Sequence, residues 1–331
     1  MAAQISIAIK KQGILDTLQD DGRYGYQHLG IPPGGAMDRL SVRLVNALVG
    51  NKAETAALEM HFPAPEIEIV CTQLLALGGA DFGAEINGLS IPLFQPLLVT
   101  AGSVIRFTKK TAGCRLYLAA QGGWILDNWL GSESTLLLAG KGGLQGRALR
   151  KGDYLTRKEA SLYEQSGSTK AFEILPWRAD IAAWYQAGPF RMIAGAAYSH
   201  LTSAAQHKLS GSPFLILPES NRMGYRLAGT ALASKKQEIL LSAGVTRGSI
   251  QLLPDQQLVV LMADHQTTGG YPVVGHICRA DLPRLAQLSP GESLVLQLID
   301  QPAAEALYID HENHLQQLSN ACNFRLQEYF S

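Results

Sequence analysis

Apolar runs in this chain are short, because glycine or proline ends most of them within a few residues; the sequence holds 33 glycines and 15 prolines among 331 residues. A helix bundle needs longer uninterrupted periodic stretches, so this texture points instead to a mainly β chain with short helices. Candidate strands are Ile5–Ile9, Glu66–Val70, Leu74–Leu77, Val104–Phe107, Arg115–Ala119, Arg191–Ala194, Phe214–Leu217, Ser249–Leu253, Leu258–Met262 and Ser293–Leu298. Alternation is clear in Arg115-Leu-Tyr-Leu118 and Ser249-Ile-Gln-Leu252, whereas several others are continuous apolar runs suited to strands buried on both faces. One helix stands out, from about Asp38 to Leu48, with Leu40, Leu44, Val45 and Leu48 on one face, Asp38 or Ser41 as N-cap and Gly50-Asn51 as its stop.

At roughly 150 residues per domain, the length predicts two domains, each able to bury its own core. The polar stretch Arg157–Lys170 reads as a linker, dividing an N-terminal domain (1–180) from a C-terminal one (181–331). A similar order of pieces recurs on either side of it. Gly79-Ala-Asp81 and Met262-Ala-Asp264 each close a strand, and Ala101-Gly-Ser-Val-Ile-Arg-Phe107 has a counterpart in Pro290-Gly-Glu-Ser-Leu-Val-Leu296.

Charge removes several partners from consideration. Lys+Arg and Asp+Glu both number 28, so no positive surplus tracks a nucleic-acid backbone or an anionic membrane. The longest uncharged window, Ile86–Ile105, is broken by Pro92, Pro96, Gly88 and Gly102 and is no transmembrane helix. The N-terminus alternates Ile5, Ile7, Ile9 like a strand and lacks the regions of a secretory signal, which predicts a cytoplasmic protein. Cys71, Cys114, Cys278 and Cys322 are widely spaced and form no CxxC pair, so they read as reduced thiols, and no metal site is expected.

Three stretches carry chemistry. Gln19-Asp-Asp-Gly-Arg23, continuing to Asp38, sets carboxylates, an amide and an arginine on a backbone turned by Gly22, Gly25, Gly30, Gly34 and Gly35. Glu219-Ser-Asn-Arg-Met-Gly-Tyr-Arg226 places Arg222 and Arg226 four apart after Asn221, a pattern able to clamp a carboxylate or phosphate or to pair with neighbouring acids. Met262-Ala-Asp-His-Gln-Thr-Thr-Gly-Gly-Tyr-Pro272 follows an apolar strand. It offers Asp264 as a base, and His265 and Gln266 as donors to an oxygen, with Tyr271 beside the Gly-Gly turn; an ordinary capped turn is the alternative. Gly140-Lys-Gly-Gly-Leu-Gln-Gly146 lacks the order of a phosphate loop, the histidines form no ligand pattern, and no GxSxG elbow is present.

Together these stretches resemble the KipA-type family, also known as allophanate hydrolase subunit 2 or the C-type subunit of 5-oxoprolinase, whose carboxyltransferase relatives occur inside urea carboxylase. The resemblance adds Gly35-Ala-Met-Asp38, Asn46 to Asn51, Leu130-Gly-Ser-x-Ser-Thr135, Gly146-Arg-Ala-Leu149 and Gly152-Asp153, and runs in unbroken order from about residue 5 to 300. His265 departs from it, standing where the pattern has an arginine. If that position neutralises an anion, its role becomes pH-dependent or passes to Arg222 or Arg226.

What the resemblance implies is a pair of cyclophilin-like β-barrel domains with a shared cleft. It also implies a 5-oxoprolinase assembly with B-type (KipI-like) and A-type partners, opening a lactam substrate to glutamate with ATP. Asp264, Arg222, Arg226 and Gln266 are then the expected catalytic residues, and Gln19, Asp20, Arg23, Asn221, His265 and Tyr271 the binding ones. The alternatives are a carboxyltransferase subunit fed by a separate biotin carrier, since this chain has no Met-Lys-Met biotin site, and a non-catalytic regulator that binds a KipI-like kinase inhibitor. With no familiar nucleotide loop here, ATP is expected at a site completed by the B-type partner.

Overall fold

The computed structural model describes residues 4–159, 170–235 and 241–331. The chain divides into two compact units. The first comprises Met1–Arg23, Asp38–Asp180 and His314–Ser331, and the second Tyr24–Met37 and Ile181–Asn313. Most of the expected linker, at 160–169, lies outside the described residues.

The first unit is built on two six-stranded sheets. One runs Tyr154–Thr156, Ile5–Lys11, Glu66–Ile69, Val104–Phe107, Ala84–Ile86, Leu89–Ser90. The other runs Phe172–Ile174, Pro96–Val99, Gln73–Asp81, Ala112–Ala120, Ala57–Met60, Thr17–Gln19. Ile7, Ile9, Ile67 and Ile69 of one sheet share a buried core with Leu75, Leu77, Leu116 and Leu118 of the other. The helix Arg39–Leu48 packs on the central strands of the second sheet. Its N-cap is Asp38, whose carboxylate accepts from the Ser41 N–H at 3.0 Å and the Ser41 hydroxyl at 2.7 Å. Gly78 lets helix and sheet approach: a Cβ there would stand 2.8 Å from Val45 and 2.5 Å from Phe94.

In the second unit seven strands close a barrel in the order Phe190–Ala194, Val273–Ile277, Ser249–Leu252, Leu258–Leu261, Gly224–Ala228, Pro213–Ile216, Ser293–Leu298. Closure satisfies the backbone groups that edge strands would leave open. Ile250, Leu252, Leu258, Val260, Leu294 and Leu296 fill its core. A two-stranded ribbon, Ala243–Gly244 with Thr268–Gly269, lies outside the closed set.

All ten expected strands are present, with ends shifted by a few residues, and the chain is mainly β. Further strands and helices join the expected ones, and two of these bear on the argument. Gly224–Ala228 forms a strand within the Arg222/Arg226 motif, where no strand was expected, and Gln301–Phe330 forms a 30-residue helix with only Leu315, Cys322 and Leu326 buried. No helix among the described residues is long and apolar enough to cross a membrane.

Candidate functional site

Each unit holds one part of the expected site. In the first, Gln19 ends a fully buried strand, so its carboxamide is tied to the Thr17 hydroxyl at 2.9 Å and the Thr135 carbonyl at 3.1 Å. Asp20 follows and is bound on all sides. It accepts from the Ser132 hydroxyl at 2.7 Å, the Glu133 N–H at 2.6 Å, the Gly22 N–H at 2.7 Å and the Ser134 hydroxyl. The Gly22 bond needs that residue's left-handed backbone (φ 92°). Arg23, 1% exposed, donates to the Ser134 carbonyl at 2.5 Å and lies 5.1 Å over the Trp129 ring. Asp20 and Arg23 thus pin one loop, residues 132–135.

Beside Asp20 a cleft of about 290 Å³ is lined by Asp21, Glu54, Glu133, Lys52 and Lys158, with Lys158 already paired to Glu133. The glycine run 140–146 packs against the same loop. A Cβ on Gly142 would stand 2.1 Å from the Ser134 carbonyl oxygen, and one on Gly143 2.0 Å from the Thr135 hydroxyl. Close packing, with no phosphate, accounts for those glycines.

In the second unit Arg222 leads into the strand Gly224–Ala228 and is 8% exposed. Its Nε donates to Asp264 Oδ2 at 2.7 Å and its Nη2 to Oδ1 at 3.0 Å, a forked pair, while Nη2 also reaches the Gly35 carbonyl at 2.7 Å. The Asp264 N–H returns to the Arg222 carbonyl at 2.8 Å, so backbone and side chains fix the pair together. Arg247, which the sequence patterns do not single out, donates to the Ala36 carbonyl at 3.0 Å and to the Met37 carbonyl. Two arginines therefore hold three successive carbonyls of Gly35–Met37, a segment turned by the positive φ of Gly34 and Gly35 and anchored by Met37 in the barrel core.

The other expected residues are more dispersed. His265 is buried, with Nδ1 donating to the Gln266 carbonyl at 2.5 Å. Gln266 reaches the Gln251 carboxamide at 3.4 Å. Asn221 is exposed and accepts from the Met223 N–H at 2.8 Å, while Arg226 and Tyr271 are also exposed. Arg222, Asp264 and Gly35 are thus brought together, and Gln266 meets Gln251. Arg226 stands on the exposed side of its strand, between buried Tyr225 and Leu227. Among the described residues no group of three or more His, Cys, Asp or Glu side chains could hold a metal ion.

A model of the carboxyltransferase domain, subdomain A and B, matches residues 29–298. The chain belongs to the carboxyltransferase domain family. It is 33% identical over 313 residues to the C-type subunit of 5-oxoprolinase from Escherichia coli (strain K12), covering 95% of this chain and 97% of that one. It is 29% identical over 309 residues to urea amidolyase of Saccharomyces cerevisiae, covering 87% of this chain but 16% of that one. Among solved structures, the Kluyveromyces lactis urea carboxylase superposes with a TM-score of 0.87 at 25% identity, over 96% of this chain and 29% of that one. The chain therefore spans less than a third of the urea-processing proteins it resembles.

For this carboxyltransferase domain several motif residues are structural. Asn51 donates to Asn46 at 2.9 Å and to the Ala120 carbonyl at 2.8 Å, tying the end of the helix Arg39–Leu48 to the sheet. Arg147 and Asp153 form a forked pair at 2.6 and 2.9 Å. Ser132 and Ser134 hold Asp20. The motif spacings reflect these pairings as much as any chemistry.

Proposed function

We propose that this chain serves as the C-type subunit of an ATP-dependent 5-oxoprolinase. The observation that carries the reading is the match to a 5-oxoprolinase component of that type, across 95% of this chain and 97% of that relative. In the overall reaction the lactam C–N bond breaks, the carbonyl carbon gains an oxygen from water, and the nitrogen leaves as the amine of glutamate, while ATP is hydrolysed to ADP and phosphate. As the lactam carbonyl is attacked, its oxygen gains negative charge, and a guanidinium fixed beforehand stabilises that charge without reorganising. Arg222 fits this role because Asp264 and Gly35 set its orientation, and Asp264 doubles as the group that orients water. Gln266 supplies an amide donor nearby in sequence.

The residues of the first unit's cleft do not suit a polyphosphate: four carboxylates face two lysines, one of which is already paired. The nucleotide then sits at a site completed by the B-type partner. Co-purification with the A- and B-type partners, followed by an assay of glutamate released from 5-oxoproline, tests the reading. Activity only in the full assembly is expected, and a silent assembly beside an active positive control overturns it. A second reading, a biotin-dependent carboxyltransferase role, is favoured by the family's description and by the likeness to urea carboxylase. Loss of activity on adding avidin separates it from the first.

A further inference from the structure

The strand Ser249–Leu252 sends Ile250 and Leu252 into the barrel core, so alternation turns Ser249 and Gln251 to its other face. Gln251 is nonetheless buried there, 2% exposed, against Gly269 of the ribbon. Its Oε1 receives one long bond, 3.4 Å, from Gln266 Nε2. Its Nε2 meets no acceptor among the described residues. Leaving such a donor unmet costs about 1–3 kcal/mol, and buried polar groups in folded proteins are nearly always satisfied. A methionine would fill the same volume without that cost, so folding gives no reason for a carboxamide here.

The chemistry of the two glutamines defines what would satisfy them. A carboxamide carries an N–H and a C=O on one edge, and its complement is an amide whose own N–H and C=O share an edge. Open-chain secondary amides are trans and present these groups on opposite sides. A lactam ring forces the amide cis, so both groups lie on one edge, and a urea offers the same edge. The pair to Gln266 is long enough to be exchanged for two shorter bonds. Gly269 bears on the same spot: a Cβ there would stand 2.5 Å from Gln251 Nε2, and its φ lies outside the left-handed region, so steric room at Gln251 is what the missing side chain provides.

We propose that Gln251, with Gln266 beside it and Gly269 leaving room, is the residue that recognises the cis-amide edge of the substrate. This deepens the 5-oxoprolinase reading and rests on it. In the reconstituted assembly, Gln251→Met is expected to keep or raise the thermal midpoint while raising KM for 5-oxoproline by about tenfold or more, as loss of one or two hydrogen bonds to substrate implies. KM for ATP should stay unchanged. Gly269→Ala should act in the same direction with both glutamines unsubstituted, because its Cβ crowds Gln251 Nε2. Unchanged KM for 5-oxoproline in both variants overturns the proposal. Should the wild-type assembly lack lactam activity, the parent reading fails, and binding to the whole chain still decides the amide edge. The ¹⁵N side-chain amide signal of Gln251, identified by its loss in Gln251→Met, should shift on titration with 5-oxoproline or urea and not with proline, which has no amide. No shift with either amide overturns the proposal independently.

Discussion

Asp20 in the first unit and Gln251 in the second are both buried polar side chains, yet they stand in opposite conditions. Asp20 accepts from two hydroxyls and two backbone N–H groups, all from its own unit. Gln251 has one long bond and an unmet donor. In sequence the contrast runs the other way: Asp20 sits in a dense polar stretch, whereas Gln251 sits in a plain alternating strand. Density of polar residues marks where a backbone turns tightly and must be tied down. The unmet donor of Gln251 is the feature on which the proposed substrate contact rests.

The largest effect is expected at Asp20. Asp20→Ala strips four donors of their acceptor and frees the loop 132–135, so a loss of about 3–5 kcal/mol is expected in chemical denaturation of the chain. Gln251→Met, by contrast, should be neutral or stabilising. A loss below about 1 kcal/mol for Asp20→Ala, within the range of ordinary surface substitutions, would mean the loop does not depend on its carboxylate.

Arg222 and Asp264 come next, because here satisfaction and function overlap. Removing either leaves a mostly buried charge without its forked partner, so each single alanine variant should cost about 2–4 kcal/mol, and the double variant clearly less than the sum. In the assembly Arg222→Lys sharpens the point. It keeps the charge but not the fork, so the fold should hold while kcat falls by about tenfold to a hundredfold. Additive stability losses would show that the pair is not one unit.

How much of this was readable beforehand follows from where each signal lives. The ten strands and the helix start were legible because their determinants are local, alternation and apolar runs; of the two candidate caps, Asp38 and Ser41, the structure selects Asp38. The strand Gly224–Ala228 was hidden by its glycine and its outward Arg226, which drew a short alternation into a reading of charged side chains. The helix Gln301–Phe330 buries three residues in thirty, too few to impose a periodic apolar face. The candidate residues could be named from the sequence, but their pairings could not. Arg247 and Ala36 are 211 residues apart, and Gln251 is buried against a glycine on a different strand. No spacing in the sequence announces contacts of that range.

Asp16 offers a test of another kind, through pH. Burial pushes its carboxyl from the ordinary 3.8 up to about 7, against the opposing pull of the Gly13 N–H at 2.8 Å. The folded state therefore holds a proton that the unfolded chain has released. Stability from this group is fully present below about pH 4 and is lost as pH rises through about 7, a change on the order of 4 kcal/mol. Asp16→Asn keeps an acceptor for Gly13 and cannot ionise, so its stability should lack that slope and exceed wild type above pH 7. Parallel stability curves for the two proteins between pH 4 and 8 would place the titration elsewhere.

The smallest effect is expected at Arg226, and there a near-silent result is informative. In sequence it is the twin of Arg222, four residues on, and the two read as one fork. In the structure Arg222 is buried and committed to Asp264 and Gly35, while Arg226 is exposed and its guanidinium meets no acceptor among the described residues. Having no internal partner, it can be removed without leaving a charge or a carbonyl unmet. Arg226→Ala should therefore shift stability by less than about 0.5 kcal/mol. With the fold untouched, any kinetic change reports on ligand contact alone. We expect KM for 5-oxoproline and for ATP to stay within about twofold of wild type, less than the loss of one hydrogen bond would produce. A tenfold rise in either would return Arg226 to the site and make the anion clamp a property of both arginines.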